Sequence, residues 1–158
     1  MNSSKLLANR FREVILNGTW IANTNWQIQL MDVTLQQATT KIDSFNTIAA
    51  LTFHIDYYIA GMLQVFEGGT LDIKDKYSFD MLPIHSEEEW QSLKQKLFND
   101  SEKFAEHVEK MSDQKLASHF VDEKYGSYAR NIDAMIEHAY YHLGQIALLK
   151  KMVLEKKT

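Results

Sequence analysis

Residues 127–154 read SYARNIDAMIEHAYYHLGQIALLKKMVL. Ile132, Met135, Ile136, Ile146, Leu149 and Val153 recur at three- and four-residue spacings, the repeat of one helix face. His138 and His142 fall on the same stripe. No proline interrupts the stretch, so a continuous helix from about Ser127 to Leu154 is predicted. A helix this long with one apolar face must bury that face against other elements.

Upstream, the same repeat returns three times. Ile48, Leu51, Ile55, Ile59, Met62 and Phe66 mark a helix over about Ser44 to Glu67, with Gly68-Gly69 to stop it. Ser86-Glu87-Glu88-Glu89 has the serine-x-x-glutamate form of a capping box. It opens a helix to roughly Lys110, with Trp90, Leu93, Leu97, Phe104 and Val108 facing inward. Near the N-terminus, Leu6, Leu7, Phe11, Val14 and Ile15 predict a helix from Ser4 to Leu16, ended by Asn17-Gly18. A shorter helix is expected around Asn25 to Met31 and a turn near Thr34 to Ala38. Residues 70–85 and 111–126 read as loops, Lys76 to Leu82 being the nearest approach to a strand. The whole predicts an all-α fold: an antiparallel four-helix bundle with a short N-terminal helical extension, one domain over residues 1–158.

Composition agrees with this. One proline, Pro83, and six glycines in 158 residues leave few places for helices to break. With 45% hydrophobic and 24% charged residues, the chain has the apolar content for a core and is not of a disordered type. A formal net charge of -4, with lysines and arginines scattered, offers no basic face for nucleic acid. Lys150, Lys151, Lys156 and Lys157 instead suit the negative end of the last helix dipole. Cysteine is absent, which removes disulfides, thiolate metal ligands and a cysteine nucleophile. No apolar signal segment follows Met1-Asn2-Ser3-Ser4-Lys5, and the most apolar stretch, Ser44 to Phe66, carries His54 and Asp56 at its centre. A cytoplasmic protein without a membrane span is therefore expected.

The chemistry is concentrated in histidines. His138 and His142 stand four apart, one turn, on the stripe that faces the core. Imidazole is costly to bury without partners, so the pair calls for backbone carbonyls, carboxylates or a metal ion. His54 sits mid-helix between Phe53 and Ile55 and reaches the pair only where its helix neighbours the last one. Three neutral imidazoles would suit zinc, nickel, cobalt or iron(II) and would leave coordination positions open. His85, His107 and His119 read as solvent-facing or locally bonded. Asp56 reads as a buried hydrogen-bonding group rather than a ligand. Tyr57, Tyr58 and Tyr141 are core or cleft aromatics within a turn of a proposed ligand, and Glu137 and Gln145 flank the pair. No phosphate-binding glycine loop, G-x-S-x-G or H-E-x-x-H is present.

Leu51-Thr52-Phe53-His54-Ile55-Asp56-Tyr57-Tyr58 and Glu137-His138-Ala139-Tyr140-Tyr141-His142-Leu143-Gly144-Gln145-Ile146 resemble the two signatures of the DinB/YfiT-like superfamily. Val33-Thr34-Leu35-Gln36-Gln37-Ala38 and Met111-Ser112-Asp113-Gln114-Lys115-Leu116 resemble its connections, so the likeness spans the chain from about Thr19 onward. The resemblance implies a four-helix bundle with one histidine from the second helix and an H-x-x-x-H pair from the fourth. His54, His138 and His142 would then bind a divalent metal, zinc or nickel first among candidates. It further implies a transferase using a low-molecular-weight thiol such as bacillithiol and a small-molecule substrate, because an open metal position can deprotonate a thiol near pH 7. A hydrolase using activated water and a non-catalytic metal- or ligand-binding bundle stay open beside it. A homodimer is expected, with Trp20, Trp26 and the first helix as its apolar surface.

Overall fold

The computed structural model describes residues 3–156, whose regular elements are all helices; among the described residues there is no strand, and one isolated bridge joins His119 to Ser127. Seven α-helices follow in order: α1 (Ser3–Arg12), α2 (Trp26–Leu30), α3 (Leu35–Thr39), α4 (Ile48–Phe66), α5 (Glu87–Glu109), α6 (Asp113–Ala117) and α7 (Tyr128–Glu155). A wider π-type turn, Glu13–Asn17, extends α1, and short 3-10 turns occur at Asp75–Tyr77 and Glu123–Tyr125. The stretch over Lys76 to Leu82 is therefore a turn and loop, not a strand.

Side-chain caps set where most of these helices begin. Ser127, Ser86, Thr47 and Asn25 each accept a hydrogen bond from a backbone N–H in the first turn of the helix they precede. The second long helix thus starts at Ile48 rather than Ser44, because Thr47 is the cap and Asp43 lies in the left-handed region at φ 45. The reciprocal half of the expected box at Ser86 is redirected: the Glu89 carboxylate accepts from the N–H of His85 at 2.6 Å. A complete capping box forms instead between Thr34 and Gln37, turning the expected bend there into α3. The first helix ends at Gly18 through close approach, since a Cβ there would lie 2.2 Å from the Glu13 side chain.

α4 packs against α5 and α7, and α1 against α5 and α7. α2, α3 and α6 fill in against these long helices, and buried residues from all seven join one apolar cluster. The first helix is not a peripheral extension. Leu7, Ala8, Phe11, Val14 and Ile15 are buried, and Phe11 stacks on Phe104 of α5 with centroids 4.3 Å apart. Ser4 and Arg12 tie its two ends to Glu109 and Glu102 of α5. Burial of such side chains stabilises by roughly 1.5–3 kcal/mol each, so α1 holds the core together rather than decorating it.

Trp26 and Trp90 are fully buried, each with its indole N–H donated to a carbonyl: Ala139 at 3.0 Å and Val33 at 2.7 Å. Trp26 thus offers nothing to a surface, whereas Trp20 is exposed. Among the basic residues near the last helix end, Lys150 reaches the carbonyl of Gln29 and the carboxylate of Asp32, and Lys157 lies outside the described residues. No helix among the described residues is long and apolar enough to cross a membrane.

Candidate metal centre

His54 enters the site from the middle of α4, and His138 and His142 from successive turns of α7. His138 Nε2 lies 3.2 Å from His54 Nε2 and 2.8 Å from His142 Nε2. The potential ligand atoms of all three lie within 4.8 Å of one another. The three residues singled out by sequence are therefore brought together, across 84 positions of chain in the case of His54 and His138. His54 and His142 are buried and His138 half-buried.

Two of the rings are held by their other nitrogen. His54 Nδ1 donates to the carbonyl of Ser78 at 3.2 Å, and His142 Nδ1 donates to Gln145 Oε1 at 2.7 Å. A carbonyl oxygen can only accept, so the proton of each neutral ring resides on Nδ1 and Nε2 carries a lone pair. Both lone pairs face His138 Nε2, which has at most one proton to offer. At most one of the two nitrogen–nitrogen approaches can then be a full hydrogen bond, and the lone pair left without a donor is one that a cation at their centre would satisfy.

The donor set fits a divalent ion on this ground. Nitrogen ligands at ~2.0–2.1 Å from a tetrahedral ion sit about 3.3 Å apart; the His54–His138 pair stands at 3.2 Å and the His138–His142 pair, at 2.8 Å, would open slightly around the ion. Carboxylate or carbonyl contacts that fix the remote nitrogen are the usual support of histidine ligands.

Electrostatics favours the ligating form. Burial lowers the pKa of all three imidazoles. For His138 burial and then the neighbouring His142 and His54 pull it down to about 4. His142 also depresses His54, while Ser78 and Asp75 oppose the fall; Gln145 opposes it at His142. Neutral imidazoles at neutral pH present lone pairs without proton competition.

The surroundings combine the expected tyrosines with loop residues that carry no signal in sequence. Phe79 lies flat on His54, centroids 4.0 Å apart and planes 11° from parallel. Tyr58 meets His54 and His138 edge-on at 5.1 and 5.3 Å and donates its hydroxyl to Asp75 at 3.0 Å. Tyr57 donates to the carbonyl of Lys74 and accepts from its N–H, pinning residues 74–79 over this end of α4. These loop residues show no periodicity, and only the tyrosines and Gln145 carried a positional signal.

Other candidates stand apart. Asp56 is buried and paired with Lys96 of α5 at 2.6 Å, with its Oδ1 unpartnered. Glu137 pairs with Arg130, and Tyr141 is exposed while touching the His142 ring edge. His85 and His119 are exposed, and His107 leans toward Glu67 at 3.9 Å. No family model, curated protein or solved structure matches the chain.

Proposed function

We propose that the protein binds one divalent ion, zinc or nickel, on His54, His138 and His142, and uses it to activate a low-molecular-weight thiol for transfer to a small-molecule acceptor. The observation that carries the metal is the convergence of three Nε2 atoms whose rings, at His54 and His142, are fixed from behind by Ser78 and Gln145. A bound divalent ion would supply Lewis acidity, bringing a thiol or water to its ionised form near neutral pH. Three protein ligands leave room for such a group. The chain, having no cysteine, would take its sulfur from outside.

The thiol and the transfer come from the resemblance to the DinB/YfiT-like superfamily, as does the arrangement as an antiparallel four-helix bundle. The contacts support the bundle. α4 packs on α7; Leu51 and Leu149 line one cleft, His54 meets His138 and His142, and Met62 and Met135 line another cleft, so α7 runs down as α4 runs up. Homodimerisation belongs to the same proposal; of the apolar residues expected to serve it, Trp20 and Leu6 of the first helix are exposed and Trp26 is buried.

Elemental analysis of untagged protein tests the centre. Close to one divalent ion per chain in wild type, lost in His54→Ala, His138→Ala and His142→Ala with helicity retained, is the expected result. Wild type that is metal-free and cannot be loaded with zinc or nickel would remove the metal and the activity proposed for it.

A further inference from the structure

His138 forms part of the wall of a cleft of ≈ 240 Å³ beside the three imidazoles. Its lining is divided in character. Met62 of α4, Met135 of α7 and Phe120 supply apolar surface, whereas Tyr58 and Asp75 supply polar groups. The Tyr58 hydroxyl is spent on Asp75 Oδ1. A carboxylate accepts about four hydrogen bonds, so Asp75 keeps acceptor capacity, and among the described residues no lysine or arginine pairs with it. The cleft is smaller than the ~300–1,000 Å³ of drug-sized sites, which restricts it to a small metabolite.

We infer that this cleft holds the organic part of the ligand and that Asp75 selects for a positively charged amine at the end remote from an anionic, metal-binding head. This rests on the metal reading above. An anionic tail would be brought against the like charge of Asp75, and a purely apolar tail would leave the carboxylate without a new partner. A short spacer packed on the methionines and Phe120, with an ammonium group at Asp75, satisfies both halves of the lining. Asp75 is in this sense a specificity residue that acts on the ligand, while the histidines act on the ion.

Cobalt(II)-loaded full-length protein provides the test, with sulfur-to-cobalt charge-transfer absorption as the readout. Cysteamine, 1-propanethiol and 3-mercaptopropionate share a thiol head and differ in the charge of the tail. The quantity of interest is the ratio of cysteamine to 3-mercaptopropionate affinity in wild type against Asp75→Asn, in which the intrinsic differences between the thiols cancel. We expect the ratio to fall about ten-fold in Asp75→Asn, equivalent to about 1.4 kcal/mol, with cobalt stoichiometry unchanged. Ala134→Phe, which places bulk on the cleft wall, should weaken all three thiols. An unchanged ratio in cobalt-loaded Asp75→Asn would overturn the inference and leave the metal centre standing. So would loss of cobalt from that variant, since Asp75 would then serve the ion. A wild type that takes up no cobalt at the three histidines removes the metal centre, and this inference with it.

Discussion

His142 Nδ1 donates to Gln145 Oε1 at 2.7 Å, a contact between residues three apart on the same helix. That bond fixes the ring flip and the tautomer together, so the lone pair of Nε2 is turned toward His54 and His138 before any ion arrives. Removing it should loosen the ion without removing a ligand. Gln145→Ala is expected to weaken zinc binding by about 10–100-fold, measured by competition with a chromophoric chelator. Gln145→Glu keeps an acceptor at the same place and should restore most of the affinity. Equal affinities in all three proteins would show that Gln145 does not position the ring.

Metal should also appear as stability. An ion that binds the folded chain and not the unfolded one stabilises by about 2.7 kcal/mol at a free concentration 100 times its Kd. Thermal unfolding of wild type should therefore shift upward on adding zinc and return with a chelator. His138→Ala should show no such shift, although its helicity should match wild type.

The first helix gives a prediction independent of the site. Phe11 is fully buried against Phe104, and truncation of a phenylalanine in such a setting costs about 3–5 kcal/mol. Urea unfolding of Phe11→Ala should show a loss of that size. A loss below about 1 kcal/mol would mean that α1 is only an appendage.

Asp56 links stability to pH. Burial raises its carboxyl pKa to about 6 from 3.8, with the Lys96 ammonium holding the rise back. The folded state thus keeps the proton that the unfolded state releases. This contribution favours folding fully below pH 3.8 and is lost as pH rises through about 6. In Asp56→Asn the dependence is absent. The stability difference, variant minus wild type, should climb between pH 4 and 6.5 by on the order of 2 kcal/mol and then level off. A difference that stays flat over this interval would show that Lys96 fully compensates the burial.

The fold and the centre differ in how far sequence discloses them. The four long stripes were legible because each side chain's face follows from its own helical position, and the three histidines because they lie on those stripes. Which helices are neighbours is not written in periodicity; α4 beside α7 is a property of the packed whole. The supports of the centre were least legible. Ser78 acts through its carbonyl, which every residue possesses, and Phe79 through a stacking contact with a residue 25 positions away. The first helix showed its apolar face but not what that face meets, so it read as an addition when Phe11 and Arg12 in fact join α5. At Ser86 the motif was right about the helix start and wrong about the second bond, because the His85 N–H competes for Glu89.

The indole N–H of Trp26 ends on the carbonyl of Ala139, the residue that follows His138. Indole emission depends on the field and hydrogen bonding around the ring, so this tryptophan is an optical gauge seated against the helix that carries two of the three imidazoles. Trp90, tied to Val33, and Trp20, open to solvent, stand elsewhere in the chain and report different surroundings. With Trp90 and Trp20 replaced by phenylalanine, tryptophan emission would come from Trp26 alone, giving a view of the centre's backbone that needs no attached dye.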